Sequence, residues 1–159
     1  MAWLEILILC MIILAGVCLV SIWHASTHFH KVYYRLSSDK ISKPVKFVVL
    51  SDLHDQQYGK QNEKLIKAIE EEIPDAILVA GDMLTALEER ETVAEDLISQ
   101  LTAKYRLYYG LGNHEAKMRW GRERFGNMYE RYIADIKATG AGVLINEYQD
   151  MDECPVRIY

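Results

Sequence analysis

The sequence predicts an α/β domain with a mainly parallel sheet, preceded by one membrane-spanning helix. Three observations predict it. An apolar run lies close to the N-terminus. Short apolar runs then alternate with stretches of helical periodicity, in the order β-α-β-α-β-α-β. Three of those short runs are each followed at once by a string of Asp, His, Asn and Gly.

The apolar run spans residues 6–23, where Ser21 is the only side chain with a hydroxyl or charge. As a helix it would cover about 27 Å, close to the hydrocarbon thickness of a bilayer. Trp3 and Trp23 stand at its two ends, as interfacial aromatics do. A cleaved signal peptide fits less well, because Glu5 and no Lys or Arg precedes the run. Lys31, Arg35, Lys40, Lys43 and Lys46 all follow it, so the positive-inside rule places the C-terminal domain in the cytoplasm. The expected organisation is an anchor over 1–25, a juxtamembrane linker over 26–44 and a folded domain over 45–159. His24, His28 and His30 cluster at the membrane exit and read as interfacial histidines.

Within the domain, residues 45–50 read as a strand buried on both faces. Asn62 reads as the N-cap of a helix ending at Ile73, with Leu65, Ile66, Ile69 and Ile73 as its buried stripe. Residues 76–80 form the second strand, 88–104 the second helix and 105–111 the third strand. Residues 125–138 read as the third helix, 143–145 as a fourth strand and 156–159 as the start of a fifth. Asp55 and Asp75 read as solvated turn residues.

The 159 residues carry a net charge of -5, which argues against a nucleic-acid partner. Half of the composition is hydrophobic, as in ordinary globular proteins. Three cysteines, two of them inside the apolar run, make no disulfide framework.

The three polar strings are Asp52-Leu53-His54, Gly81-Asp82 and Gly112-Asn113-His114-Glu115. Parallel strands would bring them to one edge of the sheet, where open α/β sheets place their ligands. Carboxylate, imidazole and amide groups in one crevice suit a pair of divalent ions. Asp52 and His54 would reach one ion if the backbone bends after Ser51. Asp82 suits a bridging carboxylate, with Gly81 permitting close backbone approach. Asn113 offers an amide oxygen to the second ion. His114 is left to face a substrate, stabilising its charge or protonating a leaving oxygen, with Glu115 orienting it.

In these residues and their order the chain resembles the calcineurin-like metallophosphoesterases, and most nearly a membrane-anchored, YkuE-like branch. The resemblance runs from Val45 to Tyr159. It implies a four-layer α/β/β/α sandwich and two divalent metal ions drawn from manganese, iron and zinc. Asp52 and His54 would bind the first ion, Asp82 would bridge, Asn113 would bind the second and His114 would assist phosphoryl transfer. The expected reaction is attack of metal-bound hydroxide on a phosphomonoester, phosphodiester or pyrophosphate, with a lipid-linked phosphate suggested by the anchor. The family pattern continues with Gly-His and Gly-His-x-His motifs, whereas no histidine follows His114 here. The chain therefore reads as the N-terminal half of such an enzyme, impaired alone or completed by a C-terminal fragment. The alternative is a non-catalytic, membrane-anchored remnant that binds a partner or one ion weakly.

Overall fold

The computed structural model describes residues 2–87, 93–151 and 155–159. Two compact units are present, Met1–Tyr33 and Tyr34–Tyr159. The first is dominated by helix α1 (Ala2–Thr27), apolar around its whole circumference. Its segment Trp3–His24 is long and apolar enough to cross a membrane, a property that N-terminal signal sequences share. At its end the rings of His24 and His28 stack with centroids 4.1 Å apart, the one-face pairing expected of i, i+4 positions.

The second unit is built on four parallel strands, β1 (Phe47–Leu50), β2 (Ala76–Val79), β3 (Leu107–Gly110) and β4 (Gly142–Leu144). They lie side by side in chain order. Helices α2 (Glu63–Glu72), α3 (Val93–Thr102) and α6 (Met128–Ala138) make the successive crossovers. Such an order with right-handed crossovers stacks the helices on one face of the sheet. That face carries Ile77, Val79, Leu107, Tyr109 and Val143, all buried, packed beneath Leu97, Ile98, Leu101, Tyr132 and Ile136.

The strand register puts Val49, Leu78, Tyr108 and Gly142 in one row on the opposite face. There Ala76, Tyr108 and Met151 form a small core with Val45, Phe47, Leu78, Leu144, Val156 and Ile158. An antiparallel pair, β5 (Gln149–Asp150) with β6 (Arg157–Ile158), contributes the hairpin over it. The Arg157 guanidinium forks onto the Asp150 carboxylate across that pair and lowers the Asp150 pKa, chiefly through the hydrogen bond.

Several expectations need correction. β1 is a terminal strand rather than one buried on both faces, and Val49 is 60% exposed on the hairpin side. Asn62 does not cap α2 through its side chain. It adopts a left-handed backbone, is buried, and accepts a hydrogen bond from Tyr58 N at 2.9 Å. Asp75 is an exposed bend residue, as expected, and its Oδ2 also accepts from Lys46 N at 2.7 Å, which ties the start of β1 to that of β2. The stretch after the third strand holds two further helices, α4 (Asn113–Trp120) and α5 (Arg122–Phe125), before α6. Their polar composition hid them, because α4 has almost no apolar stripe for periodicity to show. The final strand joins a separate antiparallel pair instead of the parallel sheet. Of the helix expected over 88–104, residues 88–92 lie outside the described residues, as does Cys154.

Leu97 is fully buried between α3 and the sheet. Leu97→Ala should therefore cost about 3 kcal/mol, since the cavity cannot collapse in a two-layer core. Urea unfolding of the two proteins checks this.

A candidate metal centre at the ends of three strands

The loops that follow β1, β2 and β3 meet at the carboxyl edge of the sheet. Three backbone hydrogen bonds zip the first two together: Asp52 N to Gly81 O, His54 N to Asp82 O, and Asp55 N to Met83 O, at 3.1–3.3 Å. The chain bends to allow it. Asp52, His54, Asp55 and Asp82 all adopt positive φ between 49° and 58°. Left-handed backbone is costly for residues with a Cβ, and such residues cluster where function overrides comfort.

The third loop docks against the second through two glycines. A Cβ on Gly81 would overlap the backbone of Gly112, and one on Gly112 would overlap Asp82 N and Oδ1. Gly81 also sits at φ +82°, where glycine alone is unstrained. In the resulting close approach, His114 N donates to Asp82 Oδ1 at 2.8 Å.

This folding brings Asp52, His54 and Asp82 into one group, with a ligand atom from each within 4.8 Å of the others. Asp52 Oδ1 lies 3.5 Å from His54 Nε2. The His114 ring stands edge-on to the His54 ring, with centroids 4.9 Å apart. Asn113 opens α4 as an exposed residue, between Gly112, whose N–H donates to Glu115 Oε2, and His114, whose N–H donates to Asp82 Oδ1. Two carboxylates and an imidazole converging in this way are a donor set that suits a divalent metal ion, so the residues present fit such an ion.

Glu115 does not orient His114. Its side chain is fully buried and runs the other way. Oε2 accepts from Asp82 N at 3.0 Å and from Gly112 N at 2.9 Å. Oε1 accepts from Met83 N at 3.2 Å and from the Tyr109 hydroxyl at 2.7 Å. Tyr109 in turn shares a 2.8 Å hydrogen bond with the Tyr132 hydroxyl. Burial, above all, raises the pKa of both tyrosines. What reaches His114 instead is the N–H of Ala86, which donates to Nδ1 at 3.1 Å. Asp55 is likewise no solvated turn residue, because its Oδ2 accepts from both Thr85 N and Thr85 Oγ1 at 2.7 Å.

Sequence reasoning thus located Asp52, His54, Asp82, Asn113 and His114 at one edge but missed their supports. Asp55 follows His54 directly, and a carboxylate at that place was the available signal. Tyr109 and Tyr132 were legible only as apolar positions, although buried hydroxyls demand partners. The basic residues after His114 are surface groups. Arg122 pairs with Glu130, Arg119 lies over Tyr129 and Arg124 over Phe125.

A comparison with protein-family models matches the calcineurin-like phosphoesterases over residues 45–152, more than half of the chain. Comparisons with curated proteins and with solved structures return no match.

Two outcomes follow from this geometry. Gly112→Ala should lower manganese affinity at least about tenfold while leaving the helical circular dichroism intact, because it displaces Asp82 rather than the core. Both tyrosines have folded pKa values above their ordinary 10.0. Their contribution to stability is therefore complete below that pH and falls as pH rises above it, where only the unfolded chain ionises. Thermal melts from pH 8 to 11 should show that decline, and Tyr109→Phe with Tyr132→Phe should flatten it. With a Metallophos domain over most of its length and its Asp-x-His, Gly-Asp and Gly-Asn-His strings gathered at one sheet edge, the chain belongs to the calcineurin-like phosphoesterase family.

Proposed function

We propose that this chain is a membrane-anchored metal-dependent phosphoesterase acting on a phosphomonoester, phosphodiester or pyrophosphate. The observation that carries the reading is the convergence of Asp52, His54 and Asp82 within 4.8 Å at the carboxyl edge of a family-typical sheet. Asp52 and His54 would hold one divalent ion, Asp82 would reach it and a second, and Asn113 would serve the second. Divalent cations held there supply Lewis acidity, screening the charge of a phosphate and making water a nucleophile near neutral pH.

The chain's own residues do the rest. Asp82 is fixed by the His114 N–H on its Oδ1, which sets the carboxylate's direction before any ion arrives. Glu115 holds the backbone of Asp82 and Met83. His114 stands beside His54 and receives a backbone N–H at Nδ1. In the neutral ring that leaves the proton on Nε2. Its role is then to donate a hydrogen bond to a phosphoryl oxygen as charge develops, in place of handing a proton to the leaving group.

In this reading the apolar helix α1 is an uncleaved anchor with the domain on the cytoplasmic side, as in a membrane-anchored, YkuE-like branch of the family. A lipid-linked phosphate suits an enzyme confined to a membrane surface. A complementing polypeptide that supplies further ligands would complete the coordination of both ions.

The full-length chain in detergent should take up manganese and hydrolyse p-nitrophenyl phosphate or its bis ester. Asp82→Asn should lower kcat/KM at least about a hundredfold, as expected for losing a metal ligand. Manganese uptake with no turnover in the wild-type chain would favour the non-catalytic remnant. Absence of both uptake and turnover would overturn the metal-site reading.

A further inference from the structure

The loop from Gly81 to Leu87 has no regular secondary structure, yet it carries both Asp82 and the N–H that contacts His114. Two buried or half-buried carboxylates hold it at separate points. Glu115 holds residues 82 and 83. Asp55 holds residue 85, through the Thr85 N–H and hydroxyl, each 2.7 Å from the same Oδ2. The backbone of Asp55 adds a third tie, to Met83 O at 3.1 Å. The next residue after Thr85 is Ala86, fully buried, and its N–H points at His114 Nδ1.

We propose that Asp55 is a positioning residue for His114, acting through Thr85 and Ala86. It fixes the direction of one backbone N–H, and that N–H fixes which nitrogen of the imidazole carries the proton. The inference rests on the phosphoesterase reading for its purpose, since an Nε2–H donor is useful only beside a phosphoryl group. Its geometry stands apart from that reading.

The chain of contacts is directional. A backbone N–H can only donate, so Nδ1 accepts and the ring is held as a single tautomer. Among the described residues two donors converge on Asp55, and both choose Oδ2. Oδ1 is shielded from solvent and has no partner among the described residues. A carboxylate is thus used as a one-oxygen acceptor, a task an asparagine oxygen can also perform. Asp55 is not among the side chains whose ligand atoms gather with those of Asp52, His54 and Asp82.

The test is the tautomer of His114, read by nitrogen-15 imidazole spectra of the full chain in detergent micelles without metal. The wild-type ring should show Nε2 protonated and Nδ1 bare. Asp55→Ala should convert this to a mixture of tautomers, and Asp55→Asn should restore the wild-type signals. Thr85→Ala, which removes one of the two bonds, should give a smaller change and faster deuterium exchange at the Ala86 amide. That milder variant decides the matter should Asp55→Ala fail to fold. A wild-type ring protonated at Nδ1, or His114 signals unmoved in both Asp55→Ala and Thr85→Ala, would overturn the proposal. Where the wild-type chain turns over substrate with manganese, Asp55→Ala should lower kcat on the order of tenfold or more with KM and manganese uptake unchanged. A chain without any turnover would sink the phosphoesterase reading while the ring spectra still decide this one.

Discussion

The site depends on one buried carboxylate. Glu115 lies in a fully covered position with no cationic side chain bonded to it among the described residues, and it is satisfied by three backbone N–H groups and a tyrosine hydroxyl. A charge removed from water is tolerable only when its lone pairs are all engaged. Here the donors come from two different loops and from β3, so the same bonds that solvate the charge also lock the loops together. The arrangement is self-consistent: displace either loop and Glu115 loses its donors, remove Glu115 and the loops face each other with unpaired N–H groups. Tyr132 extends the knot to α6, which ties the site to the helical layer.

The second constraint is backbone strain. Four residues with side chains sit in left-handed conformations within or beside the ligand group, at Asp52, His54, Asp55 and Asp82. Each costs on the order of 1 kcal/mol or more. The ladder of hydrogen bonds between the first two loops offsets part of that cost and fixes the direction of the bends. Gly81 and Gly112 do complementary work. One takes a conformation that only glycine holds cheaply, and the other leaves room for the Asp82 carboxylate. Rigid preorganisation at the ligands therefore draws on both the strand ends and the empty space beside them.

What the sequence showed and what it hid divide along a physical line. Strand positions, the parallel order and the placing of Asp52, His54, Asp82 and His114 at one edge follow from short-range pattern, because apolar runs and polar strings are local. The supports do not. Glu115 bonds residues 32 and 33 positions away, and Asp55 bonds Thr85 30 positions away. Nothing in their neighbourhood announces those partners, so Glu115 read as a neighbour of His114 and Asp55 as a turn residue. Asn62 misled for the same reason: an Asn before a helix is a common cap, but here its side chain closes the preceding loop onto Tyr58. The helix α4 was hidden by its lack of an apolar face, since it rests on Glu115 and Met118 rather than on a stripe.

The position of β1 bears on how firmly the three grouped side chains are held. Two of the three grouped side chains, Asp52 and His54, hang from the end of a strand that has one neighbour in the sheet among the described residues, while Asp82 extends from a strand paired on both sides. Peeling a marginal strand away from a sheet breaks fewer bonds than dissolving its centre. Among the described residues, Asp52 and His54 are thus held by fewer strand-to-strand bonds than Asp82, and the ties from Asp52 N to Gly81 O and from His54 N to Asp82 O hold that side of the group in place.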